Sequence, residues 1–304
     1  MRIIFMGTPE FAVPSLDRLA CENEVVLVVT RPDAVRSRGS ELEPSPVKAC
    51  AARLGIPVLE TSRITPAVLS AVRGARADVI CVAAFGCILP DELLGVPPLG
   101  CVNVHGSTLP RWRGAAPIQR AILAGDERAG VSIMRMVHGV DAGAYCRQAE
   151  VEVGDKGCAE LMSELAEVGA RELAAALVQM GDGSVTWVEQ DPALVTSAAK
   201  VTKAEMRLDP SDTARANARR VQASTDAAPA RLELSGRGLR VLAARRADDS
   251  LGEGDVVVNR GRVVLGCADG ALELLSVRPD GKREMTAGAW AAGLRERELS
   301  WKRC

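Results

Sequence analysis

Two rhythms of apolar positions divide this chain. Through the first 190 residues, short aliphatic runs at 2–6, 24–29, 78–84 and 101–105 alternate with amphipathic stretches at 10–20, 45–54, 65–72 and 115–124. The runs lack the every-other-residue polarity of a sheet with one wet side. They therefore predict a parallel sheet covered by helices on both faces. A further strand-like run spans 130–136. Ligands of such sheets sit beyond the carboxyl ends of the strands, so the residues just after each run are the ones to read for chemistry.

After Gln190 the rhythm shortens. Residues 191–207 carry no strand pattern, 211–222 read as a helix, and five β-like runs bounded by glycine follow at 231–234, 239–243, 255–258, 262–266 and 271–277. Strands this short and closely spaced predict a small barrel or sandwich of the OB type. A terminal helix is expected over 286–297. The expected fold class is thus α/β, with a Rossmann-like parallel-sheet domain over 1–189, a linker over 190–206 and an OB-like β-barrel domain over 207–304.

Composition narrows the partners. At 304 residues the chain is long enough for two domains. Aromatic residues make up only 3%, so the cores must be aliphatic, and binding nucleic acid by stacking bases on aromatic platforms is disfavoured. The net charge is −1, but residues 205–304 hold 18 Lys and Arg against 15 Asp and Glu, a mild basic excess. Nine cysteines show no CxxC pair and no zinc spacing, and most lie in apolar runs, so they read as reduced core residues. With no signal-peptide pattern and no apolar run of bilayer length, the expectation is a soluble, cytoplasmic protein that uses no membrane and no metal.

Two motifs stand at strand ends. Gly7-Thr8-Pro9 follows the first run but lacks the GxGxxG spacing of a dinucleotide site, and a tight strand-to-helix turn with Thr8 near the helix cap explains it equally well. The stronger candidate is Asn103-Val104-His105-Gly106-Ser107-Thr108-Leu109-Pro110 with Arg111-Trp112-Arg113-Gly114 after it. Strand alternation puts Asn103 and His105 on one face and Val104 on the other. Two polar side chains together at a buried strand end cost stability unless something satisfies them. The chain has only two histidines, 105 and 138, so imidazole chemistry has few choices. Asp141, between Gly139 and Gly143, is a candidate partner for that imidazole, with a turn aspartate satisfying its own backbone as the equal alternative.

These residues resemble the signature of the folate-dependent formyltransferases: Asn103, His105, the Ser107 to Pro110 turn, Gly114-Ala-Ala-Pro117-Ile-Gln119 and Asp141. Similarity to the branch of that family acting on methionyl initiator tRNA runs nearly end to end, through Ile3 to Phe11, Thr30 to Asp33, Pro44 to Lys48, Ala84 to Pro90, Val195 to Lys200 and Pro279 to Met285. The resemblance implies transfer of a formyl group from 10-formyltetrahydrofolate to the α-amine of methionine on that tRNA, with no metal, no DNA partner and a monomeric chain.

By the same resemblance, Asn103 stabilises the oxyanion, His105 relays protons, and Asp141 orients the imidazole and assists removal of the ammonium proton. Ser107, Thr108, Leu109 and Pro110, with Phe85, Gly86, Ile88, Leu89 and Pro90, would line the folate site, although packing explains Ile88 and Leu89 equally well. Arg31, Arg36, Arg38 and Lys200 would meet the tRNA. The family's Lys residues after Arg38-Gly39 are replaced by Ser40-Glu41-Leu42-Glu43, and its aromatics near 197, 210 and 224–229 are missing. An N-formyltransferase of nucleotide-sugar amines and a silent RNA-binding relative remain as alternatives.

Overall fold

In the computed structural model, residues 1–35, 41–294 and 299–304 are described. The chain divides into two compact units, one of residues 1–117, 128–152 and 162–198, the other of 118–127, 153–161 and 199–304. Residues 190–198, inside the expected linker, thus group with the first unit, and 199–206 with the second.

The first unit is built on a seven-stranded sheet of β1 (Arg2–Gly7), β2 (Glu24–Thr30), β3 (Val58–Glu60), β4 (Val79–Ala83), β5 (Cys101–His105), β6 (Arg128–Arg135) and β7 (Tyr145–Glu152), in the order β3-β2-β1-β4-β5-β6-β7. Strands β3 to β5 in that order are parallel. The last two pairings, β5 with β6 and β6 with β7, are antiparallel, so the sheet is predominantly parallel, in keeping with the Rossmann-like expectation. The connection between β6 and β7 is too short for the crossover that parallel neighbours need, which forces an antiparallel return.

The helices before residue 200 are α1 (Val13–Glu22), α2 (Pro46–Arg53), α3 (Pro66–Gly74), α4 (Asp91–Leu94), α5 (Pro117–Ala124) and α6 (Cys158–Asp182), of which α5 from Ile118 onward and the first four residues of α6 group with the second unit. Sequence sets two of their starts: Ser45 and Thr65 accept hydrogen bonds from Lys48 N and Val68 N, each followed by proline at the first helical position. Ile3 and Phe5 of β1, Val79 and Cys81 of β4, and Val102 and Val104 of β5 pack with Leu16, Leu19, Val47, Leu173 and Leu177. Their neighbours Ile4, Met6, Ile80, Val82 and Cys101 pack with Val68, Leu69, Val72 and Leu93. This two-sided burial, worth about 1.5–3 kcal/mol per large aliphatic side chain, is why the runs read as continuously apolar.

Helix α6 approaches β5 closely because residue 169 is glycine: a Cβ there would lie 2.6 Å from Val104 Cγ1. The strand that carries His105 is thereby backed by a helix on its opposite face.

In the second unit, β8 (Arg231–Leu234), β9 (Arg237–Ala247), β10 (Val256–Asn259), β11 (Arg262–Cys267), β12 (Gly270–Pro279), β13 (Met285–Thr286) and β14 (Trp301–Lys302) pair antiparallel, in the order β10-β11-β12-β9-β8-β14 with β13 beside β12. A bridge between Asp255 and Ser300 joins the two outer strands, so the sheet nearly closes on itself. Leu232, Leu234, Leu239, Val241, Val263, Leu265, Leu272 and Leu274 fill its interior with Trp290 and Trp301. Helix α7 (Ala214–Gln222) starts at the Thr213 cap, and α8 spans Ala287–Ala291, shorter than the terminal helix expected over 286–297, of which 295–297 lie outside the described residues.

Candidate active site

The strand order turns at β1 and β4: the chain adds β2 and β3 on one side and β5 onward on the other. The carboxyl ends of β1 and β4 thus mark the switch point of the strand order, the usual ligand position of such sheets. Thr8, after β1, donates its hydroxyl to the Phe85 carbonyl after β4, at 3.2 Å. Pro9, not Thr8, occupies the helix cap position.

Beyond β4, Ala84 and Gly86 adopt positive φ, +45° and +74°. Phe85 and Leu89 turn inward and are buried in the core, whereas Ile88 is 86% exposed. The pair Ile88 and Leu89 thus separates: Leu89 packs, and Ile88 is available to a ligand. Pro90 is exposed at the cap of α4. Arg31 Nη1 donates to the Gly86 carbonyl at 2.9 Å, so this arginine braces the same loop.

At the end of β5, Asn103 is half-buried and His105 buried. Both lie on the face away from Val102 and Val104, as alternation requires. No hydrogen-bond partner of the Asn103 carboxamide occurs among the described residues. His105 Nε2 lies 2.9 Å from the Trp112 carbonyl. A carbonyl oxygen only accepts, so the ring proton of neutral His105 sits on Nε2. Nδ1 then faces Asp141 Oδ2 at 3.6 Å. Asp141 Oδ2 also accepts a hydrogen bond from Gly114 N, at 2.9 Å.

The turn after His105 is held from within. Ser107 Oγ donates to Arg111 O at 2.6 Å, and Ser132 Oγ on β6 donates to Ser107 O at 2.6 Å while accepting from Leu109 N at 2.9 Å. Gln148 Nε2 on β7 donates to Leu109 O and to Ser132 Oγ. Ser107 and Leu109 are buried and Pro110 is half-buried after a cis peptide bond, while Thr108 Cγ2 lies against Gly130. Ser132 and Gln148 carried no signal in the sequence, since neither stands in a motif.

Residues 188–198 form a second layer over this loop. Trp112 N donates to Thr196 Oγ1 at 2.8 Å, Arg113 N to Thr196 O at 2.9 Å, and Ala198 N to Arg113 O at 2.7 Å. A Cβ on Gly114 would lie 2.8 Å from Ala198 O, and its φ of +125° suits glycine. Gln190 reaches Asp141 itself, donating to its carbonyl at 2.8 Å.

Other candidates are placed elsewhere. His138 is exposed and pairs with Asp91 at 3.3 Å. Lys200 is exposed in the second unit, where its carbonyl accepts from Arg120 Nη2. Arg36 and Arg38 lie outside the described residues. Cys50, Cys81, Cys101, Cys158 and Cys267 are buried, and Cys21 is exposed. Burial pushes the Cys101 thiol up to about 12 and raises that of Cys81, so neither supplies a thiolate near neutral pH. Among the described residues no group of His, Cys, Asp or Glu could hold a metal ion, and no helix is long and apolar enough to cross a membrane.

An unpartnered amide, a single-tautomer imidazole and a carboxylate at one strand end suit acyl transfer: a donor for a developing oxyanion beside a pair able to take a proton. The Formyl transferase family profile matches residues 1–177, and that of the Formyl transferase C-terminal domain matches 200–295. The chain is 42% identical over 300 residues to the methionyl-tRNA formyltransferase of Halorhodospira halophila, covering 97% of this chain and 96% of that protein. It is 43% identical over 295 residues to the methionyl-tRNA formyltransferase of Rhizorhabdus wittichii, covering 96% and 95%. The structure of HypX from Aquifex aeolicus in complex with tetrahydrofolic acid superposes with a TM-score of 0.65 at 18% identity, over 96% of this chain and 47% of that one, a likeness of fold.

Proposed function

The chain belongs to the formyl transferase family, and on that footing we propose that it transfers a formyl group from 10-formyltetrahydrofolate to the α-amino group of methionyl initiator tRNA. The observation that carries this reading is the near full-length identity of about two residues in five to relatives bearing that activity in their names, with Asn103, His105 and Asp141 assembled at one strand end. The donor supplies an electrophilic formyl carbon: the methionyl amine bonds to it, the bond from that carbon to N10 breaks, and tetrahydrofolate leaves with a proton on N10. The switch point suits the donor: Ile88 offers an exposed apolar surface and the Ala84 to Pro90 turn offers backbone groups to a flat heteroaromatic.

The chain's own residues act on charge and protons. Asn103 donates an N–H where negative charge develops on the formyl oxygen, a contribution of about 100- to 1,000-fold. The attacking amine must lose a proton, and His105 Nδ1 with Asp141 Oδ2 is the pair placed to accept it, because Nε2 is committed to the Trp112 carbonyl. Asp141 holds the charge that then appears on the ring.

The tRNA is met through phosphates and helix shape, by Arg31, Arg36, Arg38 and Lys200, in keeping with the scarcity of aromatics. The protein acts on this reading as a monomer in the cytoplasm. The test is one assay with purified protein, 10-formyltetrahydrofolate and methionylated initiator tRNA, scored for the formyl-methionyl ester. Absence of product with competent substrates rejects the reading. A nucleotide-sugar amine run in parallel separates the other formyl acceptors.

A further inference from the structure

The gap between His105 and Asp141 is set by two loops, the one after β5 and the one after β6. A direct link between them is Gly114 N to Asp141 Oδ2. Asp141 stands at φ +46°, a left-handed conformation that aspartate adopts more readily than most non-glycine residues. The side-chain hydrogen bonds that grip this turn on either side of Asp141 come from Gln190.

Gln190 is only 9% exposed, and its carboxamide is used at both ends. Nε2 donates to the Asp141 carbonyl at 2.8 Å and to the Gly143 carbonyl at 2.7 Å, gripping the turn on either side of its bend. Oε1 accepts from Arg113 Nε at 2.8 Å. Arg113 precedes Gly114, the residue whose N–H binds the Asp141 carboxylate. One side chain therefore ties the turn that carries Asp141 to the loop that carries Trp112 and Gly114. Both loops contact His105 or its partner, so Gln190 stands where it can bear on the 3.6 Å separation of Nδ1 and Oδ2.

We propose that Gln190 is a positioning residue for formyl transfer: it holds Asp141 at the distance and angle from which its carboxylate supports His105, and touches no substrate. The inference rests on the functional reading above for its kinetic consequences, and on geometry alone for its effect on the imidazole.

No other side chain type performs both tasks. Glutamate keeps the acceptor for Arg113 but sets an oxygen against two carbonyls; alanine removes every link. A merely structural glutamine would lower melting temperature and leave the imidazole of the remaining folded protein unchanged.

The experiment uses the full chain with Gln190→Ala and Gln190→Glu. Formylation is followed with methionylated initiator tRNA and 10-formyltetrahydrofolate, and the imidazole 15N resonances are recorded without substrates. With only two histidines in the chain, exposed His138 is the internal reference. Expected are a kcat at least 10-fold below wild type in both variants, KM for each substrate within about threefold, and a displaced His105 resonance with His138 unmoved. A folded variant with an unchanged His105 resonance and kcat within twofold overturns the proposal. Should the alanine variant not fold, the glutamate variant is read by the same criteria. Should the wild type fail to formylate, the functional reading falls, and the His105 resonance alone decides the positioning role.

Discussion

His105 and Asp141 approach through Nδ1 and Oδ2 to 3.6 Å, longer than a hydrogen bond, while the opposite ring nitrogen is engaged by the Trp112 carbonyl at 2.9 Å. A neutral ring with its proton on Nε2 turns a lone pair toward the carboxylate, and two electron-rich groups keep their distance. Arrival of a proton on Nδ1 converts the contact into a charge-assisted hydrogen bond, which shortens and strengthens it. On the proposed function, this is the pair we assign to take the proton from the attacking amine.

Asp141→Asn tests that arrangement with little change in shape. An amide oxygen can still accept from Gly114 N, but no negative charge remains to support a protonated ring. Turnover should fall by at least about 100-fold, with melting temperature near wild type, and His105→Ala should fall as far. Steady-state kinetics on both variants, each checked by circular dichroism, provides the measurement. Rates near wild type remove the pair from the mechanism.

Asn103 separates stability from rate. Its carboxamide has no hydrogen-bond partner among the described residues, so truncation orphans no buried group. Asn103→Ala should change unfolding free energy by less than about 1 kcal/mol. The same substitution should lower kcat by about 100- to 1,000-fold, the usual cost of one oxyanion donor. Chemical denaturation and single-turnover rates, run on one preparation, distinguish this from a structural asparagine.

Gly143→Ala addresses the Asp141 turn through its backbone. A Cβ at 143 would press on the Arg135 carbonyl oxygen at the end of β6, and backbone anchored in a strand yields poorly. The substitution should destabilise the protein by about 1–3 kcal/mol and reduce turnover beyond what the stability loss explains, because the same turn presents Asp141. Thermal unfolding alongside activity at a temperature where the variant is fully folded gives both readings.

How much of this was legible in the sequence follows from what each element packs against. β1, β4 and β5 are buried on both faces, so their aliphatic runs marked them, and alternation alone put Asn103 and His105 side by side. β7 escaped because it lies at the sheet edge, with mixed polar residues along Tyr145–Glu152 and mostly partial burial. Gln148, which secures the loop after His105, was lost with it. Helix α6 was legible in principle: Leu161, Leu165, Leu173 and Leu177 repeat at helical spacing and are all buried. Gln190 had no signal at all, and Thr196 stood in a matching stretch without its partner being legible, since both roles depend on a segment returning over a loop distant in sequence. The residues proposed for chemistry stood in a motif; Gln148 and Gln190, which hold them in place, did not.

Acid should reveal an ion pair in the second unit. The hydrogen bond from Arg120, with support from Thr202, holds the Glu205 carboxyl down to about 2 from its ordinary 4.5. A depressed carboxylate contributes stability that is present above about pH 4.5 and lost as pH falls toward 2. Glu205→Gln should therefore be less stable than wild type at neutral pH, and the two should converge as pH drops through that window. The side chain is 40% exposed, so salt should shrink the difference at pH 7. Denaturant midpoints at several pH values, in low and high salt, test the sign.

Ile88 is the remaining residue whose role the fold leaves to its ligand. A side chain 86% exposed on a loop contributes little to packing, so Ile88→Asp should leave unfolding free energy within about 0.5 kcal/mol of wild type. If it covers the flat ring system of the donor, a carboxylate in its place withdraws apolar contact and sets charge against that ring. KM for 10-formyltetrahydrofolate should then rise about 10-fold or more, roughly the 1.5–3 kcal/mol of one buried aliphatic side chain, with KM for the tRNA unchanged. Leu89→Asp is the contrast: Leu89 is buried with Phe85 and Leu93, so the same charge there should unfold the loop. An unchanged donor KM in Ile88→Asp would place the pterin away from this turn and leave the switch point to Asn103 and the backbone beyond β1.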